Sequence, residues 1–171
     1  MEALRVGASV GPYVIESLFR EGRGGFSQVV VARRRSQDAQ HERVALKFAR
    51  TTAPAVGRDQ AEQLVQAYEL ALKNEVEILR RLKHPGIVRI FPIPFGTRNM
   101  PFVARAAGIQ GQPWFFCMEY LSGGTIEAAI QKNKLLPVAL AVEIAHQVCL
   151  TLDYLHGQGF AHLDIKTHNI M

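Results

Sequence analysis

Apolar and polar positions change their period several times along this chain. Residues 13–18 are apolar or β-prone, glycines follow at 22, 24 and 25, and Val29, Val30, Val31 and Ala32 resume the apolar run. That order predicts strand, glycine-rich turn, strand. A polar break over 33–42 leads to Val44-Ala45-Leu46-Lys47-Phe48, which has the length and flanks of a third strand, so the first 50 residues read as a β meander. Asp59 with Glu62 resembles a capping box, and helical spacing then runs through Leu82. His84-Pro85-Gly86 stops that helix. Residues 87–91 read as a strand and 114–120 as another, ending at the turn Ser122-Gly123-Gly124. Between them lies a Pro- and Gly-rich connection over 92–113, with short strand content expected around 102–104; connections this long in compact domains are often functional. Pro137 suits the first turn of a helix running to about His156, with Ala141, Ile144, Ala145, Val148, Leu152 and Leu155 on one face and Gly157 and Gly159 ending it.

Some polar residues interrupt this pattern where chemistry would require it. In the first predicted helix Leu64, Tyr68, Ala71, Glu75, Ile78 and Leu82 fall on one stripe, so Glu75 is expected to face inward with apolar neighbours. An ionised carboxylate taken from water costs several kcal/mol unless it is paired, and the nearest cation on the preceding strand is Lys47. The plain alternatives are a rotated helix with Glu75 solvated, as Glu77 is expected to be, and a surface lysine on an edge strand. Gly22-Arg23-Gly24-Gly25-Phe26-Ser27-Gln28-Val29 has the spacing GxGxxGxV with Ser27 at the third glycine. Glycine lets backbone N–H groups approach phosphate oxygens without a Cβ in the way, although a hairpin that binds nothing has the same composition. No GK[ST] opens a following helix, so this is not a Walker loop. At the other end, Asp164, Lys166 and Asn169 bring together an acid, an amine and an amide. An Asp can accept a hydroxyl proton, a Lys can neutralise a transferring phosphoryl group, and an Asn can ligate a metal.

Composition narrows the classes. The chain has 171 residues, 48% hydrophobic and 20% charged, enough to bury a core in one domain or one and a fraction. The net charge of +5 comes from the N-terminal part: nine basic against five acidic residues in 1–50, but three against four in 121–171. An electropositive N-terminal half suits phosphate-bearing ligands, and the only run of three adjacent basic residues, Arg33-Arg34-Arg35, is too short to imply nucleic-acid binding. Cys117 and Cys149 are too few and too far apart for a disulfide framework or a CxxC metal site, and no apolar signal segment follows Met1, so a cytoplasmic protein is expected. The most apolar stretch, 135–155, is broken by Pro137, Glu143, His146 and Asp153, so no membrane span is expected.

Taken in order, these motifs resemble the N-terminal part of a eukaryotic-type protein kinase domain. Val44 to Lys47 resembles the VAIK strand, Asn74-Glu75 the acid of helix C, and His84-Pro85-Gly86-Ile87-Val88 the HPNIV turn. Cys117-Met118-Glu119-Tyr120-Leu121 resembles the hinge, and the stretch from His162 to Asn169 the HRDLKxxN catalytic loop. The resemblance implies an α+β fold: a lead-in over 1–12, then an N-lobe and hinge over 13–121 with a five-stranded antiparallel sheet plus helix C. The first helix and catalytic loop of a helical C-lobe would follow over 122–171. It also implies roles. The backbone of Gly22, Gly24, Gly25 and Ser27 would cover the phosphates of ATP, with Val29 and Ala45 closing on adenine. Lys47 would hold the α- and β-phosphates and pair with Glu75. Met118 would be the gatekeeper, and backbone groups of Glu119 and Leu121 would bind adenine. Asp164 would be the catalytic base, Lys166 would touch the γ-phosphate and Asn169 would ligate Mg2+. Lys166 in Asp-x-Lys-x-x-Asn resembles serine/threonine rather than tyrosine kinases, which implies protein substrates bearing Ser or Thr.

There are departures from the pattern. Ser27 stands for the third glycine, a neutral change. Leu163 replaces the HRD arginine, so no guanidinium is expected there to pair with a phosphorylated activation loop. Thr167 and His168 stand where Pro and Glu are common. No DFG follows Asn169, so the chain is expected to be an N-terminal fragment with little phosphoryl transfer by itself, its helix over 137–156 awaiting a C-lobe or a partner to cover its apolar face. The competing expectations are a non-catalytic nucleotide-binding or scaffold module and, more weakly, a small-molecule kinase.

Overall fold

The structure is a computed structural model that describes residues 3–18, 27–35, 43–133 and 135–171. The glycines at 22, 24 and 25 lie outside the described residues. The chain divides into two compact units, Met1–Arg81 with Arg89–Tyr120, and Leu82–Val88 with Leu121–Met171.

The first unit is a curled antiparallel sheet with one long helix. Its strands are β1 (Ser9–Val10), β2 (Tyr13–Leu18), β3 (Ser27–Arg34), β4 (Arg43–Ala49), β5 (Ile90–Phe91), β6 (Val103–Arg105) and β7 (Trp114–Glu119), in the order β1-β2-β3-β4-β7-β5 with β6 also on β7. Helix α1 spans Arg58–Leu79. Strict alternation divides the sheet into two faces. Val30, Ala32, Val44, Leu46, Phe48, Phe115 and Cys117 point into one core, closed by Ala8, Val10, Ile93, Ala106 and Ile109. Ala49, Val103 and Phe116 point the other way, onto Leu72 and Val76 of α1. The first core is knitted by rings: Phe48 stacks on Phe115 at 5.2 Å, and Tyr13 meets Phe115 edge-on at 6.4 Å. Burial there pushes the Tyr13 hydroxyl well above its ordinary pKa, and Cys117 adds to the shift.

Among the described residues there are seven strands rather than five: β1 adds a short edge, and β6, where short strand content was expected around 102–104, continues the line of β5. Ile90 and Phe91 pair with Met118 and Cys117, and the next two positions on β7, Phe116 and Phe115, are taken by Val103 and Ala104. Residues 92–102 are therefore an excursion inserted into a single edge strand, which resumes in register when the chain returns. The excursion closes on itself through Ile93 N–H to the Pro101 carbonyl at 2.7 Å and Gly96 N–H to the Ile93 carbonyl at 2.8 Å. Ile93 is buried and the Phe95 ring lies 6.1 Å from Phe115. This accounts for the long connection and for the shortness of the strand expected over 87–91.

Helix α1 differs from expectation at both ends and in its rotation. Its N-cap is Gly57, without a side-chain bond, so Asp59 sits inside the first turn instead of capping it, where a carboxylate still favours the helix dipole. The helix stops at Leu79, and Arg80 closes its last turn. Its buried residues are Tyr68, Leu72 and Val76, about one position round from the expected stripe; Ala71 is exposed and Glu75 lies at the margin.

The second unit holds α2 (Ile126–Asn133), α3 (Val138–Gly157) and a 3-10 turn at Thr167–Asn169. Pro137 is the N-cap of α3, one position before the first turn expected for it. Helix α2 was not foreseen, although Thr125 caps it by accepting the Ala128 N–H at 3.1 Å. The His-Pro-Gly turn docks on α3: Lys83 N–H donates to the Tyr154 hydroxyl at 2.9 Å, and the His84 ring stacks on Tyr154 at 4.9 Å. Ile144, Val148 and Leu152 are partly buried and Leu155 is buried, whereas Val138, Leu140, Val142 and Leu150 are exposed. Ala141 and Ala145, expected on the packed face, are exposed too.

Two predictions follow from this packing. Gly11 has φ +55°, and a Cβ there would lie 2.2 Å from the Phe95 ring. Gly11→Ala should cost about 1–3 kcal/mol in urea unfolding, and loss of the Phe95 ring in Phe95→Ala should remove part of that cost from the double variant. Glu16 pairs with Arg33 and, at 2.9 Å, with Arg43. Burial alone would raise the Glu16 carboxyl, but the bonds and charge of Arg33 and Arg43 outweigh it and hold the pKa below its ordinary 4.5. A depressed folded pKa stabilises above the ordinary value, and that contribution disappears as pH falls through the folded value. The stability advantage of wild type over Glu16→Gln should therefore shrink steadily between about pH 6 and about pH 3.

Candidate active site

In the first unit, cross-strand register brings the expected nucleotide-facing residues to one face. Val29 opposes Lys47 and Lys47 opposes Phe116, while Val31 opposes Ala45 and Ala45 opposes Met118. Directly opposed residues share a face, so Val29, Ala45, Lys47 and Met118 lie together with Ser27, which pairs with Ala49. This is also the face toward α1. Lys47 Nζ donates to Glu75 Oε1 at 2.6 Å and to Oε2 at 2.8 Å, and the amine lies 6.0 Å from the Phe116 ring centroid. The pair is reached although Glu75 sits at the edge of the buried stripe, because a long lysine side chain can span that offset. The side chains are 23% and 38% exposed, so the pair is wet on one side. A cleft of about 80 Å³ opens there, lined by Ser27, Lys47, Tyr68, Ala71, Leu72 and Glu75. That volume suits a phosphate group more than a whole nucleotide.

The expected hinge residues behave differently from one another. Met118 is partly buried against the α1 side of the sheet. Glu119 opposes Val44 and so belongs to the other face, where its carboxylate accepts the Arg89 N–H at 2.7 Å and Arg89 Nε at 3.1 Å. The Glu119 N–H itself donates to the Arg89 carbonyl at 2.9 Å, so that donor is already engaged within the protein. Leu121 begins the second unit and is 38% exposed.

In the second unit, Asp164, Lys166 and Asn169 converge. Lys166 Nζ donates to both Asp164 oxygens, at 2.9 and 2.8 Å, and Asn169 Nδ2 donates to the Asp164 carbonyl at 2.8 Å and to Oδ2 at 2.9 Å. The bond from Lys166, then that from Asn169, holds the Asp164 carboxyl below its usual range, so it is an acceptor at neutral pH. An ionised carboxylate accepts only, which turns the Asn169 nitrogen toward it and leaves the amide oxygen as that side chain's hard ligand atom. The residue before Asp164 is unusual: Leu163 has φ +62° and is 94% exposed. A β-turn-like left-handed conformation at a leucine is a strained choice of the kind that clusters at functional loops. Where the arginine of HRD would stand, this side chain touches solvent.

Sequence reasoning missed Glu127, in the first turn of α2, which accepts the Thr167 hydroxyl at 2.6 Å. The cap residue Thr125 followed by Ile126, Ala129 and Ile130 at helical spacing was the available signal for α2; its contact with the loop had none.

The chain belongs to the protein kinase domain family, whose model matches residues 16–171. It is 30% identical over 152 residues to serine/threonine-protein kinase Nek8 of Danio rerio, a match covering 88% of this chain and 18% of that protein. It is 24% identical over 164 residues to serine/threonine-protein kinase KIN4 of Saccharomyces cerevisiae, covering 96% and 18%, and 26% identical over 165 residues to CBL-interacting protein kinase 12 of Oryza sativa, covering 96% and 25%. The chain thus spans a quarter or less of the length of these relatives. Helix α3 is long and apolar enough to cross a membrane by length and composition. Membership of this family instead makes it a helix of the helical lobe, which its Glu143, His146 and Asp153 suit.

The half-exposed pair should matter little to folding. Glu75→Gln is expected to change the unfolding free energy by less than about 1 kcal/mol, whereas Leu72→Ala on the buried face should cost about 2–4 kcal/mol. Denaturant titration of both variants checks this, and equal costs would make the pair a structural one.

Proposed function

We propose that the chain carries the nucleotide-gripping and hydroxyl-activating parts of a serine/threonine protein kinase that uses ATP and Mg2+. The observation that carries this reading is the Lys47–Glu75 pair, at 2.6 and 2.8 Å, on the sheet face shared with Val29, Ala45 and Met118. A lysine held by a carboxylate beside a small cleft offers a fixed positive charge to phosphate oxygens, while the small and branched residues along the same face suit a flat adenine. By resemblance to the family, Gly22, Gly24, Gly25 and Ser27 would cover the phosphates, and the Glu119 carbonyl with the backbone of Leu121 would contact adenine.

In this reading Asp164 orients a substrate hydroxyl and takes its proton as the oxygen attacks the γ-phosphorus and the bond to ADP breaks. A carboxylate with a depressed pKa is a weak base for an intact hydroxyl, so its work is orientation first and proton acceptance late in the transfer. Lys166 would screen the moving phosphoryl group. Both Asp164 oxygens already accept from Lys166, yet a carboxylate has about four lone-pair directions, which leaves capacity for a hydroxyl. Magnesium, where bound, would neutralise phosphate charge, and the Asn169 amide oxygen is a hard ligand of the kind it takes.

The names of the relatives and Lys166 itself support Ser and Thr as acceptors. Cys117, which is buried, and Cys149, which is exposed, form no disulfide, and this supports a reducing compartment, in our reading the cytoplasm. The exposed apolar residues of α3 suit coverage by further helices of the lobe or by a partner protein.

The test is phosphoryl transfer from γ-labelled ATP to Ser-, Thr- and Tyr-containing peptides by the full protein. Lys47→Met and Asp164→Asn should each lower transfer by roughly a hundredfold or more. Wild-type rates in Lys47→Met, or phosphotyrosine as the sole product, would overturn the reading. Nucleotide binding without turnover in the full protein would assign it to the non-catalytic alternative.

A further inference from the structure

We infer that Glu127 is a positioning residue for the loop bearing Asp164, Lys166 and Asn169, acting through Thr167; the inference rests on the kinase reading above. Glu127 lies in the first turn of α2, and its two oxygens have separate duties. Oε1 accepts Gln131 Nε2 at 3.1 Å, one helical turn on, which fixes the side chain against its own helix. Oε2 accepts the Thr167 hydroxyl at 2.6 Å, a short bond to an ionised acceptor, and has His168 Nδ1 at 3.8 Å. Thr167 stands directly after Lys166 and two residues before Asn169, the two side chains that hold Asp164.

The loop is held at two further points. Asn169 N–H closes the 3-10 turn on the Lys166 carbonyl at 2.9 Å, and Ile126 N–H donates to the Ile170 carbonyl at 2.9 Å. The turn is thus gripped by α2 through a side chain at its start and through backbone at its end. A 3-10 turn of three residues has little stiffness of its own. What fixes the angle at which the Asn169 amide meets the Asp164 carbonyl and Oδ2 is its attachment to a capped helix. Catalytic geometry is sensitive to shifts of about 1 Å, so loosening Thr167 should reach the reaction without either residue touching a substrate.

Variants that remove the hydrogen bond from either side, with conservative variants that keep it, decide the matter. Thr167→Val removes the donor and leaves α2 unaltered, Thr167→Ser keeps a hydroxyl, Glu127→Ala removes the acceptor, and Glu127→Gln keeps an oxygen that can accept. In the full protein Thr167→Val and Glu127→Ala should each lower kcat roughly tenfold, with KM for ATP changed less than about twofold. The double variant should be no slower than either single one, and the Ser and Gln variants should recover to within about threefold of wild type. Hydrogen–deuterium exchange over residues 164–171 should be faster in Thr167→Val and restored in Thr167→Ser. Losses that multiply in the double variant, or Ser and Gln variants as slow as Val and Ala, would overturn the inference. If the wild-type protein transfers no phosphoryl group, the kinase reading fails, and exchange alone decides: faster exchange in Thr167→Val supports the positioning role, and unchanged exchange refutes it.

Discussion

A lysine on the central strand β4, with apolar neighbours on either side of it in sequence, is met by a carboxylate from α1, and the packing of the first unit is what brings the two together. Glu75 must come from α1, α1 must lie across the sheet face that carries Lys47, and Leu72 and Val76 hold it there against Ala49, Val103 and Phe116. The pair itself contributes little to folding because water reaches it. Its geometry is a product of the packing around it, which leaves both charges available to a ligand instead of locked in a dry core.

The same sheet has a second, larger core on its opposite face, centred on Phe115 and closed by the segment between β5 and β7. The excursion over 92–102 interrupts an edge strand without shifting its register, since Cys117 pairs with Phe91 and Phe116 with Val103. A one-residue slip there would exchange the faces of Val103 and Ala104, crowding one core and underfilling the other. Burial on two faces therefore pins the register that a long insertion would otherwise loosen. The excursion contributes Ile93 to that burial, so it is part of the core and not a surface ornament.

In the second unit charge is organised around one carboxylate. Asp164 is bonded by Lys166 and Asn169, and the stretch between those two is tied through Thr167 to Glu127. A loop of short polar residues with no regular ladder of its own takes its shape from such side-chain bonds. Leu163, strained and solvent-facing, marks where the backbone turns to present Asp164.

The spacing of apolar residues was enough to locate four of the longer elements, β2, β4, β7 and α3, because the periods of strand and helix are properties of the local backbone. The pairing of Lys47 with Glu75 was legible for a related reason: an acid on or beside an apolar stripe demands a cation, whichever way the helix is turned by one position. The convergence of Asp164, Lys166 and Asn169 was legible because they lie within six positions of one another. What only the tertiary structure decided were matters of distance along the chain. The rotation of α1 that buries Tyr68, Leu72 and Val76 was set by the sheet it packs on, and the alignment of β5 and β6 as one interrupted edge by pairing to β7. The grip of Glu127 on Thr167, forty residues apart, depends on where two segments meet in space. No local period encodes such a meeting, since the energy that selects it belongs to the packed unit and to neither segment alone.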